Sequence, residues 1–456
     1  MALATEAAAG ERLYAAPPTI YARHVTGKFS RLRWLMVAIT QLVFYGLPWM
    51  SWNGRQAVLF DIAARRFHVF GLVLWPQDFI LLTGLLVCCA LSLFLFTAVA
   101  GRLWCGYACP QTVYSSLFQW LERHTEGEWG ARRHLDNAPW GPEKILRKGA
   151  KQISWLALSA WTGLTFVGYF TPIRSLILCA ATLECGSWET FWLGFYGLAT
   201  YGNAGWMREQ VCKYLCPYAR FQGVMMDRET VTVTYQTLRG EPRGGRARSV
   251  DPRAAALGDC IDCHLCVQVC PTGIDIRSGL QIECINCGLC ADACNGVMDR
   301  VGYARGLIGY TSEVVRPWWQ RRRVLIYGAL LVVVGGGLVS SLVLRNPVRL
   351  DVMRDRAVLA RDTPDGLLEN IYRLQVLNLS ERTHHYAVHA SGVPGLHLGG
   401  RDSALTVEGL ATAQLAVDVD VDPAQLHASR TPITLEVEDL DEPGVRAASQ
   451  TLFFRP

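Results

Sequence analysis

FILLTGLLVCCALSLFLFTAVA, residues Phe79 to Ala100, is followed after two residues by LWCGYACPQ, residues 103 to 111. The first stretch carries no charge and is long enough to cross a bilayer, which takes about 20 apolar residues. Two cysteines and a proline therefore sit where a membrane helix meets water. Packing, a disulfide, a metal site and a redox couple all remain open for them.

Composition sets the frame. The chain has 456 residues, 51% of them hydrophobic, with fifteen tryptophans and a mean hydropathy of +0.17. This is too apolar for an ordinary soluble chain and too polar for a pure membrane bundle, so a membrane module joined to soluble parts is expected. The net charge of +5 is small, and topology accounts for the basic residues without a nucleic-acid partner. Of sixteen cysteines, fourteen lie between Cys105 and Cys294 and none follows. That distribution belongs to a metal or redox protein rather than a disulfide-stapled secreted domain.

Five segments approach the length of a span: Trp34 to Met50, Phe79 to Ala100, Ile153 to about Phe170, Phe191 to Gly205, and Val324 to Leu344. The expected fold is a membrane α-helical bundle of five transmembrane helices, with an inserted α+β two-cluster ferredoxin module and a C-terminal all-β immunoglobulin-like sandwich. Its parts are a cytoplasmic tail (1–33), a four-helix transmembrane module of duplicated helix pairs (34–205), a cytoplasmic region (206–323) holding the ferredoxin module (260–300), a fifth helix (324–345) and an outer domain (346–456). The polar tail YARHVTGKFSRLRW reads as retained, not as a signal peptide. Basic residues concentrate in that tail (Arg12, Arg23, Lys28, Arg31, Arg33), between the second and third spans (Arg123, Arg132, Arg133, Lys144, Arg147, Lys148, Lys151) and at Arg321, Arg322 and Arg323. Those regions are expected inside and the C-terminal domain outside. Runs such as IYRLQVLNLS, QLAVDVDV and PITLEVEDL alternate with period two, as antiparallel strands do. Nothing in that domain reads as a ligand cluster, and its expected task is to bind a partner or brace the outer face.

CIDCHLCVQVCP supplies Cys260, Cys263, Cys266 and Cys270, and CINCGLCADAC supplies Cys284, Cys287, Cys290 and Cys294. Two copies of Cys-x2-Cys-x2-Cys-x3-Cys are the two-cluster ferredoxin pattern, in which the fourth cysteine of each run crosses to the other cluster. Cys260, Cys263, Cys266 and Cys294 are thus expected to hold one 4Fe-4S cluster, and Cys270, Cys284, Cys287 and Cys290 the other. Zinc is the competing reading, and two matching four-cysteine runs disfavour it. Asn295 stands where the pattern prefers a proline, which is not a ligand.

The opening stretch has a counterpart in VCKYLCPYARFQ: Cys105, Tyr107, Cys109 and Pro110 match Cys212, Tyr214, Cys216 and Pro217. Each copy follows a helical pair, so spans one and two and spans three and four read as a parallel duplication. Spacing i, i+4 places two cysteines on one helical face, and the proline that follows should break or restart the helix. Four thiols related by pseudo-symmetry could converge on one soft metal or two small sites. A disulfide is disfavoured by a reducing cytoplasm and by helical Cys-x3-Cys geometry. Soft thiolates prefer Cu(I), and a tenfold preference over Cu(II) raises the one-electron potential by about 59 mV. Cys88, Cys89, Cys179 and Cys185 read instead as small buried hydrophobes. His124, Met225 and Met226 are further copper-ligand candidates near the motifs. Trp49, Trp52 and Trp75 read as interfacial anchors, and Arg55, Asp61, Arg65, Arg66, His68 and Asp78 as a solvated loop with local ion pairs rather than a quinone or partner site.

With YGLPWMSWNGRQAVLFD, RRFHVFGLVLWPQDF, the paired Cys-x3-Cys-Pro motifs, the double ferredoxin run and the C-terminal sandwich in this order, nearly the whole chain resembles the CcoG/FixG/RdxA family, accessory proteins of cbb-type cytochrome c oxidase. The resemblance implies a bacterial inner-membrane protein with two 4Fe-4S clusters that reduces Cu(II) to Cu(I) for assembly of the oxidase. Carried over residue by residue, it implicates the eight ferredoxin cysteines and Cys105, Cys109, Cys212 and Cys216, the last four as catalytic copper ligands. Implied partners are copper ions, a copper transporter or chaperone, components of oxidase assembly, an unidentified electron donor and membrane lipid, with a homo-oligomer left open. Two alternatives stand beside the cupric reductase: a ferredoxin-type relay between a quinone pool and a partner protein, and a nonenzymatic assembly or redox-sensing factor.

Overall fold

The computed structural model describes residues 20–246, 256–355, 360–364, 366–399, 404–426 and 428–455; Arg12 and the rest of residues 1–19 lie outside the described residues. The chain divides into two compact units. One comprises residues 1–60 and 83–334, and the other residues 61–82 and 335–456.

The first unit is mainly helical. Its helices are α1 (Lys28–Gly46), α2 (Phe79–Ala100), α3 (Leu103–Tyr107), α4 (Pro110–Glu126), α5 (Trp129–Asn137), α6 (Pro142–Val167), α7 (Ile173–Thr182), α8 (Ser187–Thr200), α9 (Pro217–Met225), α10 (Thr237–Gly240), α11 (Leu265–Gln268) and α12 (Leu289–Val301), with α13 (Arg322–Val343) running out of it. Helices occupy all five apolar segments. Among the described residues, α2 and α13 are the two both long and apolar enough to cross a membrane. In α2 only Thr97 and Ala98 are buried, and in α13 only Val324. A helix that is apolar all round and exposed is fitted to lipid rather than water. The 14-residue α8 spans about 21 Å by itself, and a π-helical stretch, Tyr201–Met207, continues it.

The ferredoxin module combines α11 and α12 with a two-stranded antiparallel sheet, Thr232–Tyr235 against Ile308–Thr311. Its core includes Val233, Ile276, Ala291, Val297, Met298 and Ile308. The module also sets the start of α1. Gly27, at the N-cap of α1, has no side chain to offer, and Asp292 of α12 takes its place, accepting hydrogen bonds from the backbone N–H of Ser30 at 2.7 Å and Phe29 at 3.3 Å. A carboxylate there satisfies donors that a helix start leaves free and opposes the helix dipole. Helix α1 therefore begins at Lys28, six residues before the apolar run.

The second unit contains a sandwich of a five-stranded sheet and a four-stranded sheet. Inward-facing Tyr372, Leu374, Val376, Tyr386, Leu435 and Phe453 fill its core, in the alternation expected from the sequence. Within this unit Arg345 holds the segment 61–82, donating to Val73 O at 2.9 Å and pairing with Asp78.

Two expectations about cysteines need correction. Cys179 and Cys185 are not packing residues; they form a disulfide with Cα atoms 4.8 Å apart. The physical reason is the left-handed turn at Leu183 that ends α7 and folds the chain back on Cys179. Cys89 is exposed on α2 and Cys88 half-buried, so α2 turns Cys89 outward instead of into a protein core.

Candidate functional site

Each ferredoxin run bends around its central cysteine. Asp262 and His264 flank Cys263, Asn286 and Gly288 flank Cys287, and all four have positive φ. Asn, Asp, His and Gly tolerate this region better than other residues, which is why the two runs can wrap identically. One void is lined by Cys260, Cys263, Cys266 and Cys294. A second is lined by Cys270, Cys284, Cys287 and Cys290, with Cys266 at its edge. The crossing of the fourth cysteines is thus present in the fold. Backbone N–H groups of Asn286, Val267 and Ile308 donate to Cys284, Cys266 and Cys294. Burial pushes the thiols of Cys284 and Cys294 up to about 12 and that of Cys266 to about 11. Bare thiols there stay protonated at neutral pH, so metal must displace their protons. Two enclosed, sulfur-lined voids with amide donors fit a pair of iron-sulfur clusters.

The four membrane-motif cysteines are free and half-buried, and they face one another closely enough that Cys109, Cys212 and Cys216 all act electrostatically on Cys105. Burial raises the Cys105 thiol to about 12 and the Cys212 thiol to about 11. The prolines restart the chain as expected, Pro110 opening α4 and Pro217 opening α9, with Cys109 and Cys216 extended at the N-caps. The idea of each pair on one continuous helical face is therefore corrected, because the break falls between the two cysteines. Among the described residues, no three of these sulfurs form a group close enough to hold a metal ion between them. Thiolates around a single tetrahedral ion with bonds of about 2.3 Å would be closer, at about 3.8 Å.

The first motif is pressed onto the ferredoxin module. A Cβ added at Gly106 would lie 2.7 Å from Ile285 O and 3.0 Å from Cys287 Cα, so glycine is required for this approach. Tyr107 Oη donates to Cys287 O at 3.1 Å. Asn286 binds both sides, accepting from Val233 N at 2.7 Å and donating to Ala100 O, at the end of α2, at 3.1 Å. Arg102, 5% exposed, donates to the carbonyls of Ile282 and Ala219, and to Cys284 O at 3.4 Å. Its charge acts on Cys105, Cys212 and Cys284 together. Among the described residues it has no carboxylate partner, and a buried cation needs a compensating anion; metal-bound thiolates on either side would supply it.

Sequence reasoning missed Arg102 and Gln222. Gln222 is fully buried and accepts from Cys105 Sγ at 3.4 Å. The signal was available in the ARFQ tail of the second motif, where Gln222 stands between Phe221 and the run Gly223, Val224 and Met225. It also missed the ion pairs of the buried carboxylates Glu122 and Glu126 on α4: Glu122 with Arg132 of α5 at 2.8 Å and with Arg208, and Glu126 with Lys148 at 3.0 Å and Lys151 at 2.9 Å of α6. His124 does not join the cysteines; its Nδ1 lies 2.8 Å from Trp120 O, on its own helix.

Family models match three regions: a 4Fe-4S binding domain over residues 82–127, a 4Fe-4S dicluster domain over 207–313, and the IG-like fold at the C-terminal of FixG over 338–456. Protein RdxA of Cereibacter sphaeroides is 38% identical, across 95% of this chain and 96% of its own. Protein RdxB of the same organism is 38% identical across 97% of both chains. The nitrogen fixation protein FixG of Rhizobium meliloti is 36% identical, across 93% of this chain and 87% of its own. Among solved structures, a FixG-related protein from Vibrio parahaemolyticus matches 24% of this chain and 96% of its own at 24% identity, with a TM-score of 0.22.

Proposed function

Since the chain belongs to the FixG/RdxA family of 4Fe-4S proteins, we propose that it is a membrane-bound cupric reductase that converts Cu(II) to Cu(I) for assembly of a cbb-type oxidase. In this reading five helices cross the bacterial inner membrane, the ferredoxin module lies in the cytoplasm, and the C-terminal domain is outside. Cys260, Cys263, Cys266 and Cys294 hold one cluster, and Cys270, Cys284, Cys287 and Cys290 the other. When bound, the clusters supply one-electron transfer.

The observation that carries the reading is the contact of Gly106 and Tyr107, the two residues after Cys105, with the Ile285 to Cys287 loop. Gly106 removes the side chain that would hold the two sulfur sites apart, and Arg102 offsets negative charge on both. Cys105, Cys109, Cys212 and Cys216 bind copper as substrate; their thiolates favour Cu(I), so each arriving electron converts the ion to the form the site prefers. Gln222 orients Cys105. The product passes to a copper transporter or chaperone.

The test is anaerobic. Chemically reduced protein is given Cu(II), and Cu(I) formation is followed with a chromogenic chelator beside the cluster absorbance, in wild type and in a variant with all four motif cysteines changed to serine. Joint kinetics that slow at least tenfold in the variant support the reading; equal rates overturn the site.

A second reading is favoured by the sulfur spacing and by the 4Fe-4S binding domain match across Cys105 and Cys109. In it the four motif thiols hold a cluster themselves and the protein is an electron relay. Iron content separates the two: about eight irons per chain for the reductase and about twelve for the relay.

A further inference from the structure

The C-terminal sandwich contains a group of donors far apart in sequence. His384, Asp439 and Asp441 each offer one ligand atom, and these atoms lie within 4.8 Å of one another. Among the described residues they form the one such group of three or more histidine, cysteine or carboxylate side chains. The fold builds it at the end of the four-stranded sheet. His384 opens the strand His384–Ser391, Asp439 closes the neighbouring strand Arg430–Asp439, and Asp441 lies in the turn that follows. The turn is held against the first strand, with Leu440 N donating to His385 O at 2.8 Å and His385 N to Asp441 Oδ2 at 2.7 Å.

His384 and Asp439 face the sandwich interior, with side chains 6% and 2% exposed. Burying both is costly, and an apolar pair of the same volume often serves stability as well or better. Their contact is also not an ordinary pair. His384 Nδ1 lies 2.7 Å from Asp439 Oδ2, yet it is out of line for a hydrogen bond, and this buried nitrogen has no other partner. Asp439 Oδ1 is occupied, accepting from the backbone of Asp441 at 2.8 Å and Glu442 at 3.2 Å, which fixes the carboxylate and leaves Oδ2 toward His384. A nitrogen and an oxygen at that separation, each about 2.1 Å from a shared ion, subtend about 80° at it. That bite is close to the right angle of square or octahedral coordination and narrower than a tetrahedral one, so it favours Cu(II), with Zn(II) accommodated at an expanded coordination number. The exposed Asp441 supplies the third donor from the solvent side.

We propose that His384, Asp439 and Asp441 form a binding site for a divalent transition-metal ion, Cu(II) or Zn(II). One imidazole and two carboxylates match these borderline ions, and the absence of sulfur among the three donors makes the site unsuited to Cu(I). His385, whose Nδ1 is 3.0 Å from Asp441 Oδ2, is positioned to hold Asp441 in place. The proposal is independent of the reading given for the cysteines.

The test uses the full chain with Cys105, Cys109, Cys212 and Cys216 changed to serine, so that those thiols do not compete, and with its clusters air-oxidised. Cu(II) is titrated and followed by EPR, with spin-echo modulation to detect a coordinated imidazole; Zn(II) is titrated in parallel against the unfolding temperature. The expected result is one tight equivalent of Cu(II) with one imidazole, and stabilisation by Zn(II). Asp441→Asn, at an exposed position, should weaken Cu(II) at least tenfold, and His384→Asn should abolish the imidazole signal. Unchanged affinity in Asp441→Asn, or an imidazole signal that survives in His384→Asn, overturns the site. If His384→Asn fails to fold, the Asp441→Asn titration decides alone.

Discussion

The two Cys-x3-Cys-Pro motifs are near copies in sequence and opposites in surroundings. Tyr107 of the first is 5% exposed and bonded to the ferredoxin loop, whereas Tyr214 of the second is 72% exposed. At the residue following the leading cysteine the first copy has Gly106, in contact with Ile285 and Cys287, and the second has Lys213. Three residues before that cysteine the first has the buried cation Arg102 and the second has Glu209, which raises the Cys212 thiol where Arg102 lowers it. A duplicated element has thus been made asymmetric at two substituted positions, with the shared tyrosine buried in one copy and exposed in the other. The first copy is shaped to face the clusters, and the second completes the thiol quartet from the other side.

The largest effect should come from charge. Arg102→Gln removes a buried cation flanked by sulfur, where breaking a buried charge pair costs about 3–5 kcal/mol, and should release iron from the Cys284 side; Glu209→Gln should stay within about 0.5 kcal/mol. Iron content and denaturant unfolding of the two variants check this. Next is packing. Gly106→Val forces a methyl-bearing Cβ into backbone atoms, an overpacking of about 1–3 kcal/mol, while Lys213→Val should be near neutral by the same unfolding measurement. A smaller difference is expected for the tyrosines. Tyr107→Phe loses a hydrogen bond worth about 0.5–1.5 kcal/mol, and Tyr214→Phe should match wild type; amide exchange at the Cys287 loop would register the first and not the second.

The smallest effect concerns the ion pairs that brace the link after the first copy. Burial pushes the Asp136 carboxyl up, but hydrogen bonds from Lys148 and Tyr21 outweigh it and hold it below the ordinary range. A depressed carboxyl stabilises the fold above its unfolded value and loses that contribution as pH falls through its folded value. Wild type should therefore exceed Asp136→Asn slightly in thermal stability at pH 7, with the gap closing below about pH 4. A gap that does not shrink at all as the pH is lowered below about 4 would contradict the pairing.

The sequence made some of this legible and hid the rest for physical reasons. Cysteine spacing encodes the cluster crossing because ligand geometry is local, and Pro110 and Pro217 mark the helix restarts because proline acts through its own ring. The apolar run of α2 coincided with its helix residue for residue. Hidden were features made by residues distant in the chain: the start of α1 set by Asp292, Arg102 between two sulfur sites, and the grouping of His384 with Asp439. In each, a polar residue looks unremarkable beside its sequence neighbours, and tertiary contact alone gives it a role.

The central claim is that the first motif is the point where the ferredoxin module meets the thiol quartet. The most direct measurement is stopped-flow reoxidation of chemically reduced clusters by Cu(II) in Gly106→Val and Lys213→Val, each confirmed to retain full iron. A slowing of at least tenfold in Gly106→Val with wild-type kinetics in Lys213→Val is the predicted result. Equal rates in the two variants would contradict the account.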